Sequence, residues 1–143
     1  MDAPGQVEIL YRTLLALALG ASIGLEREFR GFEAGIRTTA LVTIGAAMFG
    51  SATLALGDSR IAAGVVQGVG FLGAGLIFQR DATVHNLTTA ATLWAAAGIG
   101  LLVAIDLLVV AAGMALVVII LLEIQPVSDW VYSKGNRTAD TRK

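Results

Sequence analysis

The sequence predicts an all-α integral membrane protein of about five transmembrane helices, and three observations carry that prediction. Of the 143 residues, 56% are hydrophobic and only 15% are charged, which is far more apolar than a water-soluble domain of similar length. The apolar residues fall into stretches at 7–25, 38–56, 61–78, 87–105 and 107–124, each close to the roughly 20 residues a helix needs to cross hydrocarbon. Neither proline, Pro4 nor Pro126, lies inside a stretch, so none is broken on that account and Pro126 stops the fifth. Residues 1–126 therefore read as a transmembrane domain and 127–143 as a short polar cytoplasmic tail, in which Trp130 and Tyr132 read as an interfacial anchor.

The first stretch contains Ala16-Leu17-Ala18, which resembles a signal-peptide cleavage site, but Glu8 makes a poor cationic leader and the stretch is read as a retained helix. Between the fourth and fifth stretches only Asp106 interrupts the run from Leu87 to Leu122. One helix over that run would reach about 54 Å, well beyond a hydrocarbon core of roughly 30 Å. The chain must turn at Asp106, whose carboxylate belongs among headgroups. An external N-terminus and internal C-terminus put Arg27, Arg30, Arg37, Arg80, Lys134, Arg137, Arg142 and Lys143 on the cytoplasmic side and leave only Arg12 and Arg60 outside. Arg12 is placed to pair with Glu8, one helical turn earlier. At an offset of 50 residues, Gly20, Arg30, Thr38, Thr39, Ala40, Ala46 and Ala47 fall on Gly70, Arg80, Thr88, Thr89, Ala90, Ala96 and Ala97. A duplication would make helices one-two and three-four a parallel repeat; alanine richness alone is the competing explanation.

Polar groups inside so apolar a chain mark the candidate sites. The third stretch carries Gly64, Gly68, Gly70, Gly73 and Gly75, a spacing suited to close helix packing or to a locally unwound helix. Gln67 lies among them, and an amide in hydrocarbon needs partners. Thr38, Thr39, Thr88, Thr89 and Thr92, with Asn86 and His85 nearby, form a polar cluster near the ends of the second and fourth stretches. Threonines in membrane helices also bond their own carbonyls, and that plainer role is the default. Trp94 is expected to face the interior, with Gln67 a partner for its indole N–H. The loop from Glu26 to Arg37 is the densest charge cluster; Glu26 and Arg37 are expected to clamp the first two helices, with Arg27 beside them. Cysteine is absent and His85 is the only histidine, so thiolate and histidine-rich metal sites are excluded. Glu26, at the inner boundary, and Asp58, outside, are the nearest acidic candidates for a cation. No phosphate loop, dinucleotide fingerprint or Ser/His/Asp arrangement is present, and the chain is not expected to be an enzyme or to bind nucleic acid.

Five segments together resemble the MgtC/SapB family of bacterial inner-membrane proteins: Leu19-Gly20-Ala21-Ser22-Ile23-Gly24-Leu25-Glu26-Arg27-Glu28, Ala34-Gly35-Ile36-Arg37-Thr38, Arg60-Ile61-Ala62-Ala63, Gly70-Phe71-Leu72-Gly73-Ala74-Gly75 and Leu87-Thr88-Thr89-Ala90-Ala91-Thr92-Leu93-Trp94. The resemblance implies a multi-pass protein of the bacterial inner membrane. It also implies a link to magnesium limitation, either as transport of Mg²⁺ or a small solute, or as a regulator that binds another membrane complex such as the F-type ATP synthase. Virulence-associated members carry a soluble domain after the fifth helix, and this sequence is expected to represent the membrane module alone. The family's third helix usually reads glutamine and serine where Gly64 and Gln67 stand here, which moves the polar group by about one turn.

The residues themselves support Mg²⁺ weakly. That ion keeps its waters and usually wants one or two carboxylates, and no acidic side chain lies in mid-span; Mg²⁺ enters only as a substrate or effector, and no cofactor is expected. Five short helices enclose little volume, so a homodimer or higher oligomer in lipid is expected. Transport predicts a polar, wet cavity around Gln67, Thr88 and Trp94; regulation predicts none and needs an apolar docking face.

Overall fold

The structure, a computed structural model, describes residues 5–80 and 83–124. Five helices follow in order: α1 (Gln6–Phe29), α2 (Ile36–Leu56), α3 (Arg60–Leu76), α4 (Leu87–Ala104) and α5 (Leu108–Glu123), with two short strands, β1 (Phe78–Arg80) and β2 (Thr83–His85), between α3 and α4. The expected tail, with Pro126, Trp130 and Tyr132, lies outside the described residues.

The protein is a helical membrane protein, but its helices are unequal. Helices α1, α2 and α4 are long and apolar enough to cross a membrane. At 1.5 Å per residue, α3 with 17 residues and α5 with 16 reach only about 25 and 24 Å, short of the roughly 30 Å of a typical hydrocarbon core. The third stretch does not stay helical to residue 78: Ile77 is already extended and Phe78 pairs with His85 in an antiparallel hairpin. Their rings stack with centroids 5.1 Å apart, which gives His85 a structural partner. This one short hairpin is the addition to an otherwise all-helical fold.

Three helix ends close with the same device, a left-handed residue that lets the chain fold back on the last turn. Gly31 (φ 77°) ends α1, with Gly31 N–H donating to Glu28 O and Phe32 N–H to Arg27 O. Gly57 (φ 65°) ends α2, with Asp58 N–H donating to Thr53 O. At the end of α4 the position falls to Asp106 (φ 65°), with Asp106 N–H on Val103 O and Leu107 N–H on Leu102 O. The turn expected at Asp106 is there, and aspartate is among the few residues besides glycine that tolerate this conformation.

The interior is built from small residues. Helix α2 packs most extensively on α1 and next on α4, α5 covers α1 and α4, and α3 leans on α4 and α2 from outside. The core sets Ala16, Ala47, Ala111 and Ala115 beside Ile23, Ile99 and Val103. Glycine sets the closest approaches. A Cβ on Gly24 would lie 2.6 Å from Ile36 Cα, one on Gly20 2.9 Å from Ala40 Cα, and one on Gly50 2.5 Å from Ala104 Cβ. These crossings are the small-residue packing typical of helices in lipid. They do not lie where the sequence pointed: a Cβ at Gly64, Gly68, Gly70 or Gly75 would meet nothing within 4 Å, and only Gly73 approaches a neighbour, 3.4 Å from Ala90 Cβ. Helix α3 buries just Val69 and Gly73, because it sits at the edge of the bundle.

Candidate functional site

The buried residues of α1 are Arg12, Ala16, Gly20, Ile23, Gly24 and Arg27, a single helical stripe of small residues with an arginine at each end. Fifteen positions separate the two arginines, about 22 Å along the axis. Each closes one end of the bundle. Arg12, 5% exposed, donates to the carbonyl of Ala104 at the C-terminus of α4, pairs with Glu8 as expected, and lies 3.5 Å from Asp106. A cation there also suits the negative end of α4.

At the other end Arg27 is 1% exposed and its Nη2 donates to Thr89 Oγ1 at 3.0 Å, tying α1 to the start of α4. The α1 turn at Gly31 folds Phe32 back, so that its ring centroid lies 3.5 Å from the guanidinium carbon, a cation–π stack. Arg30 brings Glu26 and Glu123 together: its Nε is 2.8 Å from Glu26 Oε1, and its Nη2 binds Glu123 on α5. The expected clamp between Glu26 and Arg37 is therefore replaced. Arg30 stands one turn from Glu26 on the same face of α1, whereas Arg37 is exposed on α2 and forms no ion pair among the described residues.

The threonines divide by face. Thr39, Thr43, Thr89 and Thr92 are buried, whereas Thr38 and Thr88 are exposed. Thr39 Oγ1 donates to Gly35 O, Thr43 Oγ1 to Thr39 O, and Thr92 Oγ1 to Thr88 O, each satisfying itself within its own helix. Asn86 begins α4 and donates to Glu33 Oε2 at 3.1 Å and to Leu76 O at 3.3 Å. Gln67 is exposed on α3, and Trp94 is 56% exposed. The expectation that Trp94 faces inward is thus corrected: Leu93, Ala96 and Ala97 take the inner face of α4, and Trp94 borders an outer crevice of about 370 Å³ with Val66 and Met114.

Neither candidate cation ligand is free to act alone. Glu26 faces Arg30, and Arg60 donates to both oxygens of Asp58, at 3.0 Å from Nε to Oδ1 and 3.0 Å from Nη2 to Oδ2. That contact holds the Asp58 carboxyl below the usual carboxylate range. No three acidic or histidine side chains converge among the described residues.

An open groove of about 590 Å³ lies between α2 and α3. Its walls are apolar, with Leu41 and Phe49 on one side and Ile61 and Leu72 on the other, and Gly45, Gly64 and Gly68 leave its floor bare. The sequence reading found two of these glycines, as a spacing suited to close helix packing or to local unwinding.

Fold and site define a small helical membrane protein with a closed interior of small residues, an arginine at either end and an open apolar groove on its flank. The chain belongs to the MgtC family, whose model matches residues 13–129. Protein MgtC of Salmonella typhimurium is 53% identical over 92 residues, covering 62% of this chain and 40% of that protein. Protein MgtC of Brucella abortus is 52% identical over 91 residues, covering 61% and 38%. The chain thus aligns with well under half the length of these relatives. No solved structure matches it.

Proposed function

We propose that this chain is a non-catalytic membrane module that docks laterally on another integral membrane protein, receiving a helix of that partner in the groove between α2 and α3. The carrying observation is the contrast between this open groove and the closed interior. Gly64 and Gly68 are spaced as in close helix pairs, yet their own chain leaves them uncovered. Meanwhile Thr43 and Thr92 spend their hydroxyls on their own helices, Gln67 is exposed on α3, and both the α2–α3 groove and the crevice beside Trp94 are lined by apolar groups. A membrane complex such as the F-type ATP synthase is the kind of partner the family resemblance supplies.

A photo-crosslinking residue at position 68 should capture one defined heterologous membrane protein, identified by mass spectrometry. With the crosslinker kept at position 68, the added variant Gly64→Leu should lose that adduct while melting like the parent in detergent, since a Cβ at position 64 meets nothing of its own chain within 4 Å. Adducts with lipid alone would sink the reading.

A second reading rests on Gln67. An exposed amide on an apolar helix would find a partner in a homodimer joined along α3, where two copies could line a path for Mg²⁺ or a small solute. A crosslink at position 68 to a second copy would favour it. In either case we place the module in the bacterial inner membrane as five spans with the N-terminus outside, because that orientation puts the excess of Lys and Arg in the cytoplasm. A reporter active only in the periplasm, fused after residue 143, should stay silent; a strong signal would invert the orientation.

A further inference from the structure

At the Arg27 end the acidic side chains each face a cation or an N–H donor, the exposed Arg37 forms no ion pair among the described residues, and the buried cation is Arg27. Glu26 and Glu123 share Arg30, Glu28 accepts from Ile36 N–H at 2.9 Å, and Glu33 accepts from Asn86. Arg27 has no acidic partner among the described residues, although it is almost fully buried, and its Nε and Nη1 have no acceptor. Leaving a buried cation and two of its N–H groups unmatched is strongly unfavourable.

Arg27 lines an open cavity of about 160 Å³, with Phe32 beside it and with Val84 and the start of α4, Asn86 to Thr89, across from it. Among the described residues the start of α4 is also short of acceptors. Its first backbone bond runs from Ala90 N–H to Asn86 O, the amides of Leu87, Thr88 and Thr89 precede it, and the Asn86 side chain caps none of them. Free amides at a helix N-terminus, with the positive end of the helix dipole, favour an anion. Thr89 Oγ1 accepts from Arg27 and keeps its own proton to donate.

We propose that this cavity binds a compact phosphate-type oxyanion, held by the guanidinium edge of Arg27 and the first-turn amides of α4. Several donors converging from two directions suit a group with several oxygens, and the guanidinium fork matches its geometry. The cavity is well under the roughly 300 Å³ of sites for drug-sized ligands, so it takes a single phosphate group. At the membrane end of α1, that group comes either from free phosphate or from a phospholipid headgroup. The site is separate from the α2–α3 groove and stands or falls independently of lateral docking.

The test uses the full chain purified in phosphate-free neutral detergent at constant ionic strength. Inorganic phosphate and phosphatidylglycerol are titrated separately, with chloride as control, and Tm is followed. A saturable rise in Tm with phosphate identifies the free ion; a rise with the lipid alone identifies the headgroup. Either result is expected to vanish in Thr88→Glu, which places a carboxylate beside the cavity at a position where it favours the helix. Arg27→Lys keeps the charge but loses the fork, and should weaken the apparent affinity about tenfold or more. If neither probe produces a saturable rise, or if both variants bind as the parent does, the site does not exist.

Discussion

Gly100→Ala is expected to cost about 3 kcal/mol, the upper end of what overpacking a buried site usually costs, and to cut the yield of folded protein sharply. The added methyl would overlap the Thr43 carbonyl oxygen and lie 2.8 Å from Ala46 Cβ and 3.1 Å from Ala47 N. Two of these three neighbours are backbone atoms of α2, which cannot swing aside as a flexible side chain can. Relief requires α2 and α4 to separate, and that opens the contact between Gly50 and Ala104 further along the same pair. The control is Gly64→Ala on α3, where the new methyl meets nothing and alanine is the better helix former. Melting of the two variants in detergent checks the contrast. Equal stability would show that α2 and α4 do not approach as closely as described.

Arg12→Leu should be the next most damaging change, at about 2 kcal/mol for the loss of a charge-assisted hydrogen bond at a helix C-terminus. The guanidinium holds the Ala104 carbonyl, Glu8 and Asp106 together. Both carboxylates are partly exposed and keep water when the arginine is gone, so the loss falls mainly on the Ala104 carbonyl and the turn at Asp106. Arg12→Lys retains a cation near the same groups and should recover part of the stability. The measurement is Tm across the three proteins; a leucine variant as stable as the parent would remove Arg12 from its place as the tie between α1 and the α4–α5 turn.

The sequence carried the helical membrane character and the turn at Asp106, because a bilayer demands long apolar runs and punishes a carboxylate within them. It was less informative about which polar group faces which neighbour. Gly20 and Gly24 have the same four-residue spacing as Gly64 and Gly68, yet only the first pair packs within the chain, a difference set by where each helix sits in the bundle. The stripe Arg12, Ala16, Gly20, Ile23, Gly24, Arg27 was readable as a helical face and would have placed both arginines inward. Glu26 looked bound to Arg37 because both flank one loop, but the α1 turn favours Arg30 at one helical turn. Trp94 could not be oriented from α4 alone, since that helix is apolar nearly all round.

The central claim, that this module docks on a partner and does not conduct solute, is tested most directly by reconstituting the purified chain in liposomes loaded with a Mg²⁺-sensitive dye. The account predicts that an imposed Mg²⁺ gradient collapses no faster than in protein-free liposomes. An influx that scales with the amount of protein and is abolished by Gln67→Leu would contradict it and establish the path along α3 instead.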